Sequence, residues 1–256
     1  MTYFAKCVAF TLAETLVVMG IIGVVAALTI PNLNQATGDR EKVAKVKKVY
    51  SNLEDAFGRA TAVYGPIDEW FVNADDEHEC LFNRITEFMK LSKNCDSENG
   101  GCFSADEVKN LDGGNDASSI LLTQLPYAFL TADGTAIGFL IFDGLCNSDV
   151  TADSDEANNP LENTCAAAYV DIDGAKGTNT MGKDIFGFII TKDGLYPAGS
   201  RFQYNSDDND IPLICFEEGN CTAWIIETGN MDYLKADRKG KCPNGTQLSW
   251  ENTTCK

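Results

Sequence analysis

The sequence predicts an α+β protein in which a long N-terminal helix packs on an antiparallel β-sheet head with disulfide-held loops. Residues 10–30 form an apolar run, and apolar residues then recur at steps of three and four up to Tyr64, as on one helix face. From residue 120 onward, short apolar segments alternate with Asp-Gly turns, a pattern typical of β-hairpins. A helix followed by hairpins is the basis of the fold prediction.

The apolar run, FTLAETLVVMGIIGVVAALTI, contains one acid, Glu14, and is followed by Pro31. Twenty-one helical residues span about 31 Å, close to the hydrocarbon thickness of a bilayer. An unpaired carboxylate in such a helix costs about 2.5 to 3.5 kcal/mol on insertion scales, so Glu14 requires a partner. The run predicts a membrane helix, and Lys6 before it predicts a cytoplasmic N-terminus with the head outside.

The N-terminal residues resemble a known family. A short polar leader with Lys6, the sequence Phe10-Thr11-Leu12-Ala13-Glu14, an apolar helix and a proline resemble the start of type IV prepilins and type II secretion pseudopilins. The resemblance implies that prepilin peptidase cuts between Ala9 and Phe10 and methylates the new amine. Glu14 is then the fifth mature residue, with a role in assembly. The family usually has Gly where this chain has Ala9.

The resemblance also implies a domain organisation. It consists of a leader peptide at 1–9, a transmembrane and assembly helix at 10–31, an amphipathic helix at 32–65 and an exported head at 66–256. The implied fold is pilin-like. The implied partners are prepilin peptidase, other pilin or pseudopilin subunits, the inner-membrane assembly platform and membrane lipid. The chain would be a structural subunit, stored in the inner membrane and built into a periplasmic or cell-surface filament. No cofactor is expected, apart from calcium at the candidate loop described below.

Two alternatives stay open at the N-terminus. The carboxylate of Glu14 pairs either with the Phe10 amine of a neighbouring subunit or with the amine of its own chain, one helical turn away. In addition, Val25-Ala26-Ala27 resembles a signal-peptidase site, which would release a secreted binding protein or enzyme beginning at Leu28. An enzyme has little support, because the sequence has one histidine and neither G-x-S-x-G nor H-E-x-x-H.

The charges are divided unevenly along the chain. Residues 1–65 hold seven Lys and Arg against five acids, whereas residues 66–256 hold thirteen against thirty-three, a net charge of −20. Such an acidic head repels phosphate backbones, so direct binding to duplex DNA is not expected. A basic run follows the apolar one and consists of Arg40, Lys42, Lys45, Lys47 and Lys48. This run is either a solvated helix face or a surface attracted to lipid headgroups or to the acidic heads of neighbouring subunits.

The amphipathic helix is predicted to bury one stripe of side chains, namely Val43, Val46, Tyr50, Leu53, Phe57, Ala60 and Tyr64. Pro31 and Gly38 are expected to bend or locally melt it. A short helix is predicted over 79–91 and another is opened by the capping-box pattern at 104–107. The predicted strands lie at 125–132, 135–142, 167–172, 185–191, 195–197 and 223–227.

Ten cysteines without a C-x-x-C pair indicate disulfides in an oxidising compartment. Closeness in sequence favours Cys146 with Cys165, Cys215 with Cys221, and Cys242 with Cys255, although spacing alone leaves connectivity open. Cys80, Cys95 and Cys102 then leave one thiol over, either buried and free or bridged to another subunit.

One loop is a weak calcium candidate. Asp171-Ile172-Asp173-Gly174, with Asn179 and Asp184 after it, offers oxygen ligands beside a glycine, as calcium sites do. The full EF-hand loop and its distal Glu are absent from the sequence, and ordinary turn chemistry is the alternative.

Overall fold

In a computed structural model, the described residues contain three α-helices longer than six residues, six β-strands and short 3-10 helices. The structure describes residues 12–72, 74–95, 101–104, 108–114, 122, 125–151, 159–177, 179–203, 215–216 and 219–255, with the backbone alone for 28–36. The helices are α1 (Leu12–Tyr64), α2 (Glu77–Thr86) and α3 (Thr222–Thr228); the strands are β1 (Leu91–Cys95), β2 (Tyr127–Thr131), β3 (Ala136–Ile141), β4 (Thr164–Asp171), β5 (Ile185–Thr191) and β6 (Leu195–Pro197).

The contacts within the chain define two compact units, residues 1–41 and 42–256. Helix α1 runs for 53 residues and is helical at both Pro31 and Gly38. The expected local melting there is therefore wrong, and the expected bend stays a prediction. Within the described residues, we find no helix with the length and apolar character needed to cross a membrane.

The sheet of the larger unit, residues 42–256, is a six-stranded antiparallel meander in the order β1-β2-β3-β4-β5-β6. Each strand pairs with the next along the chain, so every connection is between neighbours. The predicted hairpins β2–β3 and β5–β6 are confirmed. At the first of them, Gly134 has a φ of 85°, the left-handed conformation that the Asp-Gly turn was expected to supply.

Alternate residues of the strands enter two different apolar clusters, because successive side chains of a strand point to opposite faces. Phe129 and Ile137 belong to the larger cluster, which also contains the buried side chains of α1, α2 and α3. Ala128 and Ala136, each next to one of these residues, belong to the smaller cluster. The sheet is therefore covered on both faces.

The apolar stripe of α1 is largely confirmed. Seven side chains of α1 are buried in the larger cluster: the predicted Val43, Val46, Leu53, Phe57 and Ala60, and in addition Val49 and Ala56. Tyr50 is half-buried, and its ring stacks on that of Phe188 in β5 with centroids 5.8 Å apart. Tyr64 is exposed. The buried stripe also includes Val49 and Ala56, which the predicted set of residues omitted. Both positions fit the 3.6-residue period of the helix.

Helix α2 begins earlier and ends earlier than predicted. The side chain of Asp76 accepts hydrogen bonds from the backbone N–H groups of His78 and Glu79, which caps the first turn. The chain after Thr86 turns into β1, a strand that the sequence did not predict. Its residues LSKNC carry no β-branched side chain and only one large apolar side chain, so the usual strand signal is missing.

The predicted strand at 223–227 is wrong, since these residues lie in α3. A short apolar run is compatible with either a strand or a buried helix. In this protein the contacts at the two ends of the segment favour the helix. The Ala223 N–H donates to the carbonyl of Ala198 at the helix start, and Gly229 ends the helix with a φ of 70°. The capping-box residues 105–107 lie outside the described residues.

Candidate functional site

The N-terminal site is described only from Leu12 onward, so Ala9 and Phe10, the predicted cleavage residues, lie outside the described residues. Glu14 lies in the first turn of α1, where a negative charge interacts favourably with the helix dipole. Thr15, the next residue, donates its hydroxyl to the carbonyl of Leu12 at 2.9 Å. These roles of Ala9, Phe10 and Glu14 stay predictions.

Large apolar side chains cover the helix surface around Glu14. Nine of them are more than half exposed, namely Leu12, Leu16, Val17, Val18, Met19, Ile21, Ile22, Val24 and Val25. Exposed apolar surface costs about 25 cal/mol per Å² relative to burial, and contiguous patches of this kind mark interaction surfaces. This part of α1 is therefore a candidate surface for binding other apolar groups.

Three lysines of the basic run contact loops of the larger unit. The Lys42 ammonium donates to the Lys183 carbonyl at 3.0 Å, and Lys45 donates to the Ile172 carbonyl at 3.4 Å. Lys48 donates to the carboxylate of Asp133 at 2.7 Å. Each of these lysines precedes a buried valine of α1 by one residue, so its stem lies at the edge of the apolar stripe and its charged end reaches a loop. We call Lys42, Lys45 and Lys48 the lysine ladder.

The loop between β4 and β5 contains the calcium candidates. Asp171 is fully buried, and its Oδ1 accepts hydrogen bonds from the N–H groups of Asp173 and Gly174 at 3.1 and 3.0 Å. Its other oxygen, Oδ2, is buried without a hydrogen-bond partner. At the other end of the loop, Asp184 accepts a hydrogen bond from the N–H of Thr180. The two acids thus hold the two ends of the loop in place.

Burial changes the ionisation of these acids. It raises the pKa of Asp171, and the nearby carboxylates of Asp173 and Asp184 raise it further. Burial also raises the pKa of Asp184 to about 6, although the Thr180 hydrogen bond and the charge of Lys42 act in the opposite direction. Burial therefore shifts Asp171 and Asp184 toward the neutral form.

The described residues contain no group of three or more His, Cys, Asp or Glu side chains arranged to hold a metal ion. The carboxyl groups of Asp173 and Asp184 are close enough to Asp171 to raise its pKa. The oxygens of Asp171 and Asp184 that make hydrogen bonds nevertheless accept them from backbone N–H groups. This is the turn chemistry that the sequence left open as the alternative to calcium.

Three disulfides are present among the described cysteines: Cys95–Cys102, Cys146–Cys165 and Cys242–Cys255. Two of them confirm predicted pairs. The predicted Cys215–Cys221 bridge is wrong, because both residues are free and buried. The thiols are in hydrogen-bond contact, and that of Cys215 also contacts the Asn220 carbonyl at 3.9 Å. Closeness in sequence brings two cysteines together without imposing the geometry that a bridge requires.

Cys80 is the thiol left over, and it is half-buried rather than buried. Its Sγ donates to the Trp70 carbonyl at 3.2 Å, and burial raises its pKa. A raised pKa lowers the thiolate fraction, and the thiolate is the reactive form.

The lysine ladder was the main feature that sequence reasoning missed. A signal for it was available: Lys42, Lys45 and Lys48 repeat at the same spacing as the buried valines beside them. Comparison with known proteins finds no match to this chain among protein-family models, curated proteins or solved structures. The fold alone places the chain in the α+β class.

Proposed function

We propose that this chain is a structural subunit of a type IV pilus or type II secretion pseudopilus. In this proposal prepilin peptidase removes residues 1–9, residues 10–31 form the transmembrane and assembly helix, and the inner-membrane platform moves the subunit into a filament. The exported part is the α+β head. The proposed location is first the inner membrane, with the N-terminus in the cytoplasm, and then a periplasmic or cell-surface filament.

One observation carries the proposal. Glu14 is a single acid in a helical surface where nine large apolar side chains are exposed. Lipid or the same helix of neighbouring subunits would cover such a surface. An acid is costly in an apolar bundle unless it is paired, and cleavage before Phe10 would create an α-amine, with an ordinary pKa near ~8, one helical turn from it.

The larger unit is consistent with an exported protein. Its three disulfides are of the kind that form in oxidising compartments outside the cytoplasm. The apolar stripe of α1 is buried in the core cluster of this unit, so α1 provides both core packing and the exposed apolar surface. A subunit that presents one helix to its neighbours and keeps a folded head outside needs both properties.

The first experiment is mass spectrometry of the mature N-terminus from cell envelopes. We expect the chain to begin at N-methylated Phe10. A chain beginning at Leu28 would instead establish the ordinary signal peptide and the secreted binding protein or enzyme. Ala9→Trp should leave full-length precursor in the membrane, and normal shortening of that variant would contradict recognition at this junction.

The second experiment tests Glu14 itself. Glu14→Ala should be cut normally and remain stable, yet enter filaments about tenfold less than wild type when both are coexpressed. Thr15→Ala is the matched control, because it removes a neighbouring polar side chain but leaves the charge of the helix unchanged. This variant should be incorporated normally. Equal incorporation of Glu14→Ala and Thr15→Ala would remove the assembly role.

A further inference from the structure

A pocket of about 400 Å³ lies in the larger unit, between the second half of α1, the α2–β1 connection and the β2–β3 turn. Its charged lining comes from Lys48, Asp55 and Arg59 of α1, from Lys90 before β1 and from Asp133 of the turn. Phe88 adds an apolar wall. All of these residues lie outside the N-terminal surface used in the proposed function.

The pocket is positive, although the unit around it is strongly negative. It has three cations and two acids, whereas residues 66–256 carry a net charge of −20. The two acids are already paired: Asp133 with Lys48 at 2.7 Å, and Asp55 with Arg59 at 3.5 Å. Among the described residues, Lys90 is exposed and has no ion-pair partner. Lys90 therefore supplies a cation that the pocket does not itself neutralise.

The lining of the pocket suits a carboxylate, because it combines cationic side chains with an apolar wall. The Arg59 guanidinium carbon lies 5.0 Å from the centre of the Phe88 ring, so the guanidinium lies over the aromatic face. A Glu or Asp side chain entering here would place its stem against Phe88 and its charge between Arg59 and Lys90. Both arginine and lysine form charge-assisted hydrogen bonds with carboxylates, and these are stronger than hydrogen bonds between neutral groups.

We propose that this pocket binds a surface carboxylate of a second copy of this chain. The argument is charge complementarity: the pocket is a place where cations outnumber acids, whereas residues 66–256 of a second copy carry thirty-three acids against thirteen cations. The inference rests on the proposed function, because filament subunits pack copy against copy. It adds to that function a contact between heads, separate from the contact between N-terminal helices.

The test uses the full-length chain in membranes, expressed as a mixture of normal and ¹⁵N-labelled copies. A carbodiimide joins a lysine amine directly to a carboxylate that it touches. We expect peptides of mixed isotopic composition that link Lys90 or Lys48 to an Asp or Glu, which only two different copies can form. Links made solely within single copies would overturn the proposal, as would links from these lysines to a different protein.

Two variants of Lys90 make the test specific. Lys90→Glu should lower the yield of mixed peptides at Lys48 about fivefold. Lys90→Arg keeps the charge but cannot be joined by the carbodiimide, so links at position 90 should vanish while those at Lys48 persist. Lys239→Glu, an exposed site in the C-terminal tail, makes the same charge change elsewhere and should leave the yield within about twofold.

The outcomes separate this inference from the proposed function. Normal cleavage before Phe10 and Glu14-dependent incorporation, without mixed peptides from the pocket, would overturn only the head contact. An equal loss of mixed peptides in Lys90→Glu and Lys239→Glu would show a general charge effect and would also overturn it. A mature chain that does not begin at Phe10 would overturn the proposed function by itself.

Discussion

The Nζ of Lys48 lies 2.7 Å from Oδ2 of Asp133, and this ion pair joins α1 to the turn between β2 and β3. The Thr131 hydroxyl donates a second hydrogen bond to the same carboxylate. Lys42 and Lys45 make the corresponding contacts with the β4–β5 loop. The lysine ladder thus connects one helix to two loops, in addition to the apolar stripe beside it.

The first prediction concerns this ion pair. Burial acts to raise the pKa of Asp133, but hydrogen bonds from Lys48 and Thr131 outweigh it and hold the pKa well below its usual value. A lowered carboxyl pKa contributes stability above the unfolded value of about 4, and the contribution is lost as the pH falls below it. Asp133→Asn should cost about 0.5 kcal/mol in urea unfolding at pH 7, because Lys48 is largely exposed.

The same substitution in the β5–β6 turn, Asp193→Asn, is the control for Asp133→Asn. It changes an exposed acid that forms no ion pair among the described residues, and its effect should be within about 0.3 kcal/mol of zero. The cost of Asp133→Asn should shrink in 1 M salt and below about pH 4. A cost that is the same at low pH and high salt would contradict the ion-pair explanation.

The second prediction concerns the buried Asp171. Because its pKa is raised, the folded state favours the neutral carboxyl, so its contribution to stability is complete below about pH 4 and is lost as the pH rises toward the folded pKa. Asp184, with a pKa of about 6, adds a loss of stability between pH ~4 and 6. Asp171→Asn should therefore raise the free energy of unfolding at pH 8 by about 1 to 2 kcal/mol.

Asp171→Ala separates charge from hydrogen bonding. Asn keeps an oxygen that accepts from the N–H groups of Asp173 and Gly174, whereas Ala leaves both without this acceptor. Asp171→Ala should lower stability by about 1 to 2 kcal/mol relative to Asp171→Asn at every pH. Thermal unfolding of both variants and of wild type at pH 5, 7 and 8.5 checks both comparisons. If Asp171→Asn were less stable than wild type at pH 8.5, the predicted cost of the buried charge would be wrong.

The third prediction concerns the contact between two loops. Gly174 has a φ of 66°, and a Cβ added to it would lie 2.6 Å from the carbonyl oxygen of Gly134. Gly174→Ala should lower the free energy of unfolding by about 2 kcal/mol or more, from strain and from this backbone clash. Gly134→Ala is the control, since Gly134 also has a positive φ but has open space around its Cβ position. It should cost only about 1 kcal/mol, and similar costs for the two variants would exclude the clash.

The fourth prediction concerns the thiols. Mass mapping of non-reduced protein should find the bridges Cys95–Cys102, Cys146–Cys165 and Cys242–Cys255. Alkylation of the native protein should modify Cys80 slowly and the fully buried Cys215 and Cys221 only after unfolding. Replacing Cys146 and Cys165 by Ala should cost about 3 kcal/mol, whereas Cys80→Ser should cost much less. Rapid labelling of Cys221 in folded protein would contradict its burial.

The sequence by itself determined the structural elements whose geometry depends only on residues close together in the chain. The spacing of apolar residues in α1 and the Asp-Gly turns of the two hairpins were sufficient, because a helix face and a tight turn are defined within a few residues. The pairs Cys146–Cys165 and Cys242–Cys255 were likewise found from closeness in the chain. The proposed role of Glu14 also rests on such a local pattern.

Contacts between distant residues were decided only by the tertiary structure. Residues 223–227 became a helix because their ends bond to Ala198 and stop at Gly229, and β1 formed because β2 offered an edge to pair with. The lysine ladder joins α1 to loops 85 to 141 residues away. The raised pKa of Asp171 follows from burial beneath the folded loop. A sequence states which groups a chain carries, but burial and long-range pairing depend on where the folded backbone brings those groups together.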